Sequence, residues 1–332
     1  MISHQENKLW DAKFIKTIKK LVPGTPLREG LENILRAKMG VLVFVDNNQP
    51  LIDIADGGFT INCEYTPAGF YELGKMDGAL ILSSDASHIL YANAQLVPDS
   101  NITTTETGIR HRTAERVAKQ TGGVVIAISQ RRNLITMYLG NLRYTLKDIT
   151  VILSRANQAL QTLGQYRKTL QKSFARLNAL EFADLVTLSD VAEIIVRVEQ
   201  FNRIAREIEI NIIELGNEGR LVNMQMQELM SEYDDMKLLI QDYCGSKDKK
   251  VQELVREQLA SLSEENLEIG HISRILGYVS SANVLDVPVV PRGYRLLRRI
   301  PRLSVSLVEH LVSHFKTLHP ISNATLSELI HV

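Results

Sequence analysis

The sequence has little of what would place it in several broad classes of protein. Among its 332 residues, cysteine occurs twice, at Cys63 and Cys244, and this wide spacing excludes both a disulfide framework and a zinc-ligand motif. The formal net charge is zero, so any contact with nucleic acid must come from a local basic patch. No apolar run approaches the roughly 18 residues that a membrane span requires, and the polar N-terminus does not resemble a signal peptide. These features predict a cytoplasmic protein without a membrane partner.

The first half of the chain contains short apolar segments separated by Gly, Asn and Asp. Such segments, interrupted by helical patterns, predict an α/β domain with a mixed sheet over residues 1–147. The expected helices cover 8–21, 26–38, 67–76 and 110–120, and the expected strands cover 40–45, 51–55, 59–65, 79–84, 88–96, 123–129 and 133–139.

Residues 148–287 have a helical pattern instead. Apolar residues recur with a 4-3 spacing from Ile149 to Leu177, which predicts one long helix of roughly 45 Å. Further helices are expected over 189–215, 220–243, 251–262 and 264–276, with glycines near several of their ends. The pattern therefore predicts an all-α spine domain.

Three consecutive basic residues open one of the predicted helices. Arg110, His111 and Arg112 follow a segment rich in capping side chains, 103–107, and fall in the first turn of the helix. Unpaired N–H groups and the positive end of the helix dipole favour acidic residues there. A bound anion such as phosphate would resolve this conflict. A solvated basic face is the alternative interpretation.

A second feature is the Asp77-Gly78 pair that precedes the apolar segment from Ala79 to Leu82. The glycine allows a ligand or another backbone to approach closely, and a carboxylate at the entry of a strand can hold a divalent metal ion. Taken alone, an ordinary Asp-Gly turn before a strand is the simpler interpretation.

The C-terminal segment, 288–332, supplies the local basic patch that the whole chain lacks. Its pattern predicts a helix over 294–300, a short hairpin over 301–304 and a helix over 305–315, which resembles a helix-hairpin-helix reader of the DNA backbone. A packing hairpin with solvated arginines is the alternative interpretation. The candidate DNA contacts are Arg292, Arg295, Arg298, Arg299 and Arg302.

Five motifs together resemble the nucleotide-binding core of the diadenylate cyclases. They are Asp77-Gly78-Ala79, Tyr91-Ala92-Asn93, Leu96-Val97-Pro98, the segment from Glu106 to Arg116, and the segment from Ser129 to Arg132. The segment from Pro291 to Leu297 narrows the resemblance to the DNA integrity scanning subfamily, and the resemblance covers nearly the whole chain. It implies an enzyme that condenses two ATP into cyclic di-AMP and two pyrophosphates with the help of Mg²⁺ or Mn²⁺.

The resemblance also assigns roles to individual residues. Asp77 would bind the metal ion and is a candidate base, while Arg110, His111 and Arg112 would act on the phosphates as catalytic residues. The expected contacts with the nucleotide are Gly78, Ala79, Leu96, Thr107, Gly108, Ile109, Arg110, His111, Arg112, Thr113, Ser129, Arg131 and Arg132.

The expected partners follow from the product and from the family. A symmetric ring needs two nucleotide sites, and the chain has one copy of the motifs, so at least two protomers are required; the resemblance implies an octamer located at the nucleoid. The resemblance implies branched DNA as a further partner, and we expect it to bind weakly. The reasons are that Pro301-Arg302-Leu303 replaces the usual glycines and that the sequence ends at Val332 without the subfamily's second hairpin. Two alternatives remain: a non-catalytic, nucleotide-sensing DNA-binding protein, and a hydrolase or nucleotidyltransferase with another acceptor.

Overall fold

A computed structural model describes residues 12–45, 54–231, 235–278 and 286–330. The chain divides into two compact units, one comprising 1–157 with 209–223 and the other comprising 158–208 with 224–332. Parts of three expected elements lie outside the described residues: 8–11 of the first helix, 51–53 of the second strand and 232–234 of the helix over 220–243.

The first unit alternates helices and short strands in the expected order. Its helices are α1 (Ala12–Ile18), α2 (Pro26–Arg36), α3 (Pro67–Leu73) and α4 (Ile109–Thr121). Its strands are β1 (Leu42–Val45), β2 (Ala55–Asp56), β3 (Phe59–Glu64), β4 (Ala79–Leu82), β5 (His88–Leu96), β6 (Val124–Ser129), β7 (Leu134–Leu139) and β8 (Leu142–Thr145). A proline opens both α2 and α3, where its missing N–H costs nothing.

The strands form one mixed sheet with the order β2-β5-β4-β1-β6-β7-β8, and β3 also pairs with β5. β1 and β4 are parallel, and the other pairings among the described strands are antiparallel. The predicted mixed sheet is therefore confirmed.

Helices pack on both faces of this sheet, and the side chains along β1 therefore alternate between two cores. Val43 and Val45 belong to one core and Leu42 and Phe44 to the other. The first core includes Phe14 of α1, Leu31 of α2 and Phe70 of α3, and the second includes Ala114, Val117 and Ala118 of α4. Burying each large side chain stabilises the fold by about 1.5–3 kcal/mol. Because these three side chains of α4 are small, the helix packs close to the sheet.

The remaining helices confirm the predicted all-α region. They are α5 (Ile149–Phe182), α6 (Leu188–Leu215), α7 (Arg220–Met230), α8 (Asp235–Tyr243), α9 (Lys249–Ser261) and α10 (Ile269–Ile275), with a short 3-10 turn over Gly216–Gly219. The long helix predicted from the 4-3 spacing is present as α5, which has 34 residues. Leu163, Leu170, Phe174 and Leu177 form its buried stripe in the second unit.

Four short helices follow: α11 (Tyr294–Leu297), α12 (Val305–Phe315), α13 (Leu318–Ser322) and α14 (Leu326–Ile330). The helix expected over 294–300 is a single turn, which corrects the prediction. The chain turns sharply beyond it, since Arg302 adopts the left-handed backbone conformation with φ of 68°. The helix expected over 305–315 is confirmed, and it packs with α11 and α13 around Val308, Val312 and Ile321.

Candidate active site

The register of the sheet brings the two sequence motifs of the first unit to one edge. Leu42 lies opposite Ala79 in the parallel pair β1-β4 and opposite Ala127 in the antiparallel pair β1-β6. Ala79 also lies opposite Ala94 of β5. The beginnings of β1 and β4 and the ends of β5 and β6 are therefore neighbours, and Asp77 lies in the turn that enters β4.

Gly78 fits this edge because it has no side chain. Its N–H donates a hydrogen bond to the Oδ1 of Asn93 at 3.0 Å, and a Cβ atom at position 78 would lie 2.4 Å from the carbonyl carbon of Asn93. Asn93 itself adopts the left-handed conformation with φ of 56°, which asparagine tolerates better than most residues. The contact fixes the turn and leaves the Asp77 carboxylate fully exposed.

Arg110 connects the first turn of α4 to this turn. Its Nη2 lies 3.7 Å from the Oδ1 of Asp77. On its other side, a Cβ atom at Gly40 would lie 2.9 Å from the Nη1 of Arg110 and 3.3 Å from the carbonyl oxygen of Ile128. Gly40 thus leaves the space in which the guanidinium lies at the entry of β1.

The first turn of α4 keeps its unpaired N–H groups. Gly108 is the N-cap, no side chain caps the helix, and the first turn has no acidic residue. Thr107, Gly108, Ile109 and Arg112 are exposed, and Thr113 is half-buried. This end of the helix therefore combines free N–H donors with basic side chains, which is the arrangement that binds phosphate in many proteins.

His111 lies half-buried behind Arg110. Burial lowers the pKa of its imidazole, and Arg132, Arg143 and Arg110 lower the pKa further, against an opposing effect of Glu106. The ring is therefore mainly neutral near pH 7, so it can donate one hydrogen bond and accept another.

Three residues beside His111 were missed by the sequence-based prediction of site residues. The Tyr138 hydroxyl donates to the Oε1 of Glu106 at 2.8 Å, and the Nε of Arg143 lies 2.6 Å from the same oxygen. The rings of His111 and Tyr138 meet in a T-shaped arrangement, with 6.4 Å between the ring centroids. Glu106 is the first residue of the motif from Glu106 to Arg116, so the sequence did contain a signal for it. Tyr138 and Arg143 carry no local signal, because strand pairing alone brings them there.

The other predicted nucleotide contacts divide into two groups. Ala79 and Leu96 are buried and pack in the same core as Ala114. A ligand would therefore contact mainly their backbone N–H and C=O groups. Ser129 ends β6, and its Oγ accepts a hydrogen bond from the N–H of Arg132 at 3.2 Å. Arg131 and Arg132 are exposed in the turn that follows. Of these two arginines, Arg132 is close enough to His111 to influence its pKa.

The residues present fit a metal ion that arrives with a nucleotide. Among the described residues, no group of three or more His, Cys, Asp or Glu side chains is placed to hold a metal ion. Asp77 offers one exposed carboxylate. Mg²⁺ in nucleotide enzymes is commonly held by one or two carboxylates together with phosphates of the substrate, and Asp77 beside the basic turn of α4 suits that mode.

Of the five arginines predicted to contact DNA, Arg295 is fully buried. Its guanidinium is hydrogen-bonded to Glu181 and to the Oδ1 of Asn178, the latter at 2.7 Å. The prediction is wrong for Arg295, because a side chain inside the helical unit cannot reach a phosphate backbone. Arg292 is half-buried and donates to the carbonyl oxygens of Gln241 and Cys244, each at 2.6 Å. Arg298, Arg299 and Arg302 are exposed.

Comparison with known proteins shows that two family models match this chain. A model described as the nucleotide-binding region of the DisA bacterial checkpoint controller, DAC, matches residues 28–142, and one described as the linker region of the same controller matches 146–285. The DNA integrity scanning protein DisA of Carboxydothermus hydrogenoformans is 53% identical over 96% of this chain and 91% of that protein. The protein of the same name from Clostridium kluyveri is 52% identical over 98% of this chain and 92% of that protein. The chain belongs to the DisA family.

Membership of the DisA family confirms the resemblance noted in the sequence and the prediction of an enzyme of the diadenylate cyclase class. Every candidate residue from Asp77 to Arg132 lies inside the part that matches the DAC model. A solved structure, the hypothetical membrane spanning protein from Bacillus cereus, covers 37% of this chain and 62% of that chain at 22% identity with a TM-score of 0.33, which is too low to support an argument. None of the helices in the described ranges is long and apolar enough to cross a membrane.

Proposed function

We propose that two copies of this chain bring their candidate sites together, each with one ATP, and condense the two nucleotides into cyclic di-AMP and two pyrophosphates. The observation that carries this proposal is the position of Asp77 beside Arg110, where an exposed carboxylate lies next to the uncapped, basic start of α4. A metal-binding charge and a phosphate-binding helix end are what nucleotidyl transfer needs at one place.

The proposed roles follow from the geometry. Arg110 and Arg112, with the free N–H groups of α4, would hold the phosphates and stabilise charge on the departing pyrophosphate. The neutral His111 would donate a hydrogen bond to a phosphate oxygen without adding a permanent charge. Mg²⁺ or Mn²⁺ held by Asp77 and the phosphates would lower the pKa of the attacking 3′-hydroxyl group. Gly78 would let the nucleoside approach the backbone at the sheet edge.

Association of protomers is supported by the surface around the site as well as by the symmetry of the product. Ile109 is 84% exposed in the first turn of α4, and Met76 and Leu134 are 38% and 39% exposed at the same sheet edge. Large apolar side chains grouped around a polar site are typical of a surface that another protein covers. We propose that a second copy covers it, within the octamer that the resemblance implies.

The proposal for DNA is limited to the exposed part of the C-terminal segment. The relatives are called DNA integrity scanning proteins, and we propose that this chain likewise senses DNA, in branched form and at the nucleoid, through Arg298, Arg299 and Arg302. We propose three functional parts: a cyclase domain over 1–147, a helical spine over 148–287 and a DNA-sensing segment over 288–332.

The measurement that tests the paired site is the rate per protomer as a function of protein concentration. Cyclic di-AMP formation per protomer should fall as the chain is diluted through its dissociation constant, followed in parallel by light scattering. A chain that is monomeric throughout the assay and still makes cyclic di-AMP would refute the paired site. AMP or an adenylated acceptor as product would favour the alternative hydrolase or transferase, and ATP binding without any product would favour a nucleotide sensor.

A further inference from the structure

The second unit contains a basic cleft that the proposed cyclase reaction does not use and that shares Arg298 with the proposed DNA surface. Two adjoining cavities of about 300 and 350 Å³ share Gln241, Lys249, Gln252, Tyr294 and Glu309 in their walls and so form one cleft with two lobes. Its walls are α8, α9, α11 and α12, all within the second unit. Each lobe alone falls in the lower part of the size range of small-ligand sites.

The cleft is strongly positive in a chain whose net charge is zero. Glu253 and Glu309 are the acidic residues of its walls. Both are already paired, Glu309 with the Nζ of Lys249 at 2.7 Å and Glu253 with the Nη2 of Arg256 at 2.5 Å. Excluding Arg292, which is bonded to backbone carbonyls, the basic residues of the walls are Lys237, Lys247, Lys249, Arg256, Arg298 and Lys316.

Besides Lys316, whose Nζ donates to the carbonyl oxygen of Ser313, three of these cations have no acidic partner. Lys237 of α8 and Arg298 after α11 line one lobe, and Lys247 lines the other; within the part of the chain that the structure describes, none of the three forms an ion pair. Like charges that converge on a concave surface repel one another, and an anion between them removes this cost. The arrangement therefore calls for a negatively charged ligand.

The shape of the cleft favours a small polyanion over a DNA duplex. The cations come from separate elements and face a shared concavity, whereas the backbone of a duplex is convex and would touch the rim. The ring of Tyr294, which lines both lobes and is partly buried, offers a face on which a base can stack. The amides of Gln241 and Gln252 add uncharged donors and acceptors beside it.

We propose that this cleft is a second anion site, separate from the candidate active site, that binds the polyphosphate chain of a nucleotide. The phosphates lie between Lys237, Lys247 and Arg298, the three cations without an acidic partner, and the base lies against Tyr294. The site does not depend on the proposed cyclase reaction, because none of its residues belongs to the first unit.

The test is calorimetric titration of inorganic tripolyphosphate into the full chain carrying Arg110→Ala and Arg112→Ala, which weakens the candidate active site. In this background we expect one remaining site per protomer. Adding Lys237→Gln and Lys247→Gln should lower its affinity at least tenfold, since each removes a charge-assisted contact. The matched control is Lys250→Gln, an exposed lysine of α9 that lines neither lobe, and it should leave the affinity unchanged.

Three results would overturn the proposal. The first is no binding of tripolyphosphate in the Arg110→Ala, Arg112→Ala background. The second is an equal loss of affinity in the Lys250→Gln control, which would indicate nonspecific screening. The third is that Lys237→Gln lowers the affinity for a duplex oligonucleotide and that tripolyphosphate does not displace this duplex from the chain. That result would assign the cleft to a nucleic-acid backbone. Because no turnover is measured, failure here leaves the proposed cyclase reaction untouched, and failure of that reaction leaves the cleft untouched.

Discussion

The guanidinium of Arg110 lies 3.7 Å from the carboxylate of Asp77, so the start of α4 and the turn before β4 meet through two side chains 33 positions apart in the sequence. Both side chains are substantially exposed, and an exposed pair of this kind contributes about 0–1 kcal/mol to stability. Their value to the fold is small. In the proposed function, Arg110 would leave this pair to bind a phosphate and Asp77 would leave it to bind a metal ion when a nucleotide binds.

The double variant Arg110→Ala, Arg112→Ala tests the phosphate-binding turn of α4. ATP affinity and turnover should fall together, because each lost charge-assisted contact costs about 1.5–3 kcal/mol. Nucleotide binding measured by calorimetry decides the matter, with Arg36→Ala as a control at an exposed arginine of α2. Unchanged ATP affinity in the double variant would show that these arginines form a solvated basic face.

The lowered pKa of His111 predicts a dependence of stability on pH. Burial, the largest cause, makes the folded chain bind a proton at His111 less readily than the unfolded chain does. The contribution of the neutral ring to stability is therefore present above the ordinary histidine pKa of about 6.5 and is lost as the pH falls through the lowered value. Urea midpoints of the wild type and His111→Gln across this window should converge towards acid pH. Parallel curves would contradict the burial of a neutral imidazole.

Gly78→Ala should damage both the stability of the first unit and the activity. The added Cβ atom would lie 2.4 Å from the carbonyl carbon of Asn93, and because the clash is with backbone rather than with a flexible side chain, overpacking should cost about 1–3 kcal/mol. The control is Gly164→Ala, where a Cβ atom would meet nothing within 4 Å and where alanine should favour helix α5 by about 0.5–1 kcal/mol. Urea unfolding of both variants provides the measurement. Two variants of equal stability would disprove the close contact.

Arg295 and Arg302 should behave oppositely when replaced by alanine. Arg295→Ala leaves the Glu181 carboxylate buried without its partner and should lower the free energy of unfolding by about 3–5 kcal/mol. Arg302 is exposed, so Arg302→Ala should change stability by less than about 0.5 kcal/mol while weakening DNA binding and its salt dependence. A stable Arg295→Ala variant with reduced DNA affinity would restore Arg295 to the DNA surface.

Local patterns in the sequence predicted most of the elements but missed β8. The alternation of β1, the small face of α4 and the 4-3 spacing of α5 all reflect burial on one side of an element, which a sequence displays directly. The Gly140-Asn141 pair before β8 is a hairpin signal, and Gly140 has the positive φ of 55° that such a turn uses. The four residues of β8 are too short and too mixed in polarity to stand out alone.

The candidate site was predictable only in part, because its assembly depends on pairing between distant strands. The sequence indicated Asp77 and Arg110 as separate features, but their contact requires the parallel register of β1 and β4. Arg143 reaches Glu106 from β8 in the same nonlocal way. Arg295 was instead wrongly predicted to be exposed, because a basic residue in a basic segment usually lies at the surface. Its burial beside Glu181 depends on how α5 packs against the C-terminal segment.

The most direct test of the account is to quantify cyclic di-AMP and pyrophosphate made from ATP and Mg²⁺ or Mn²⁺ by the purified chain and by its Asp77→Asn variant. We expect the wild type to release two pyrophosphates for each cyclic di-AMP. The variant should keep its fold and its assembly state, measured by circular dichroism and light scattering, and lose more than about nine-tenths of its turnover, since loss of a catalytic metal costs several kcal/mol. An Asp77→Asn variant that retains more than about a tenth of the wild-type rate, or a wild type that makes no cyclic di-AMP, would contradict it.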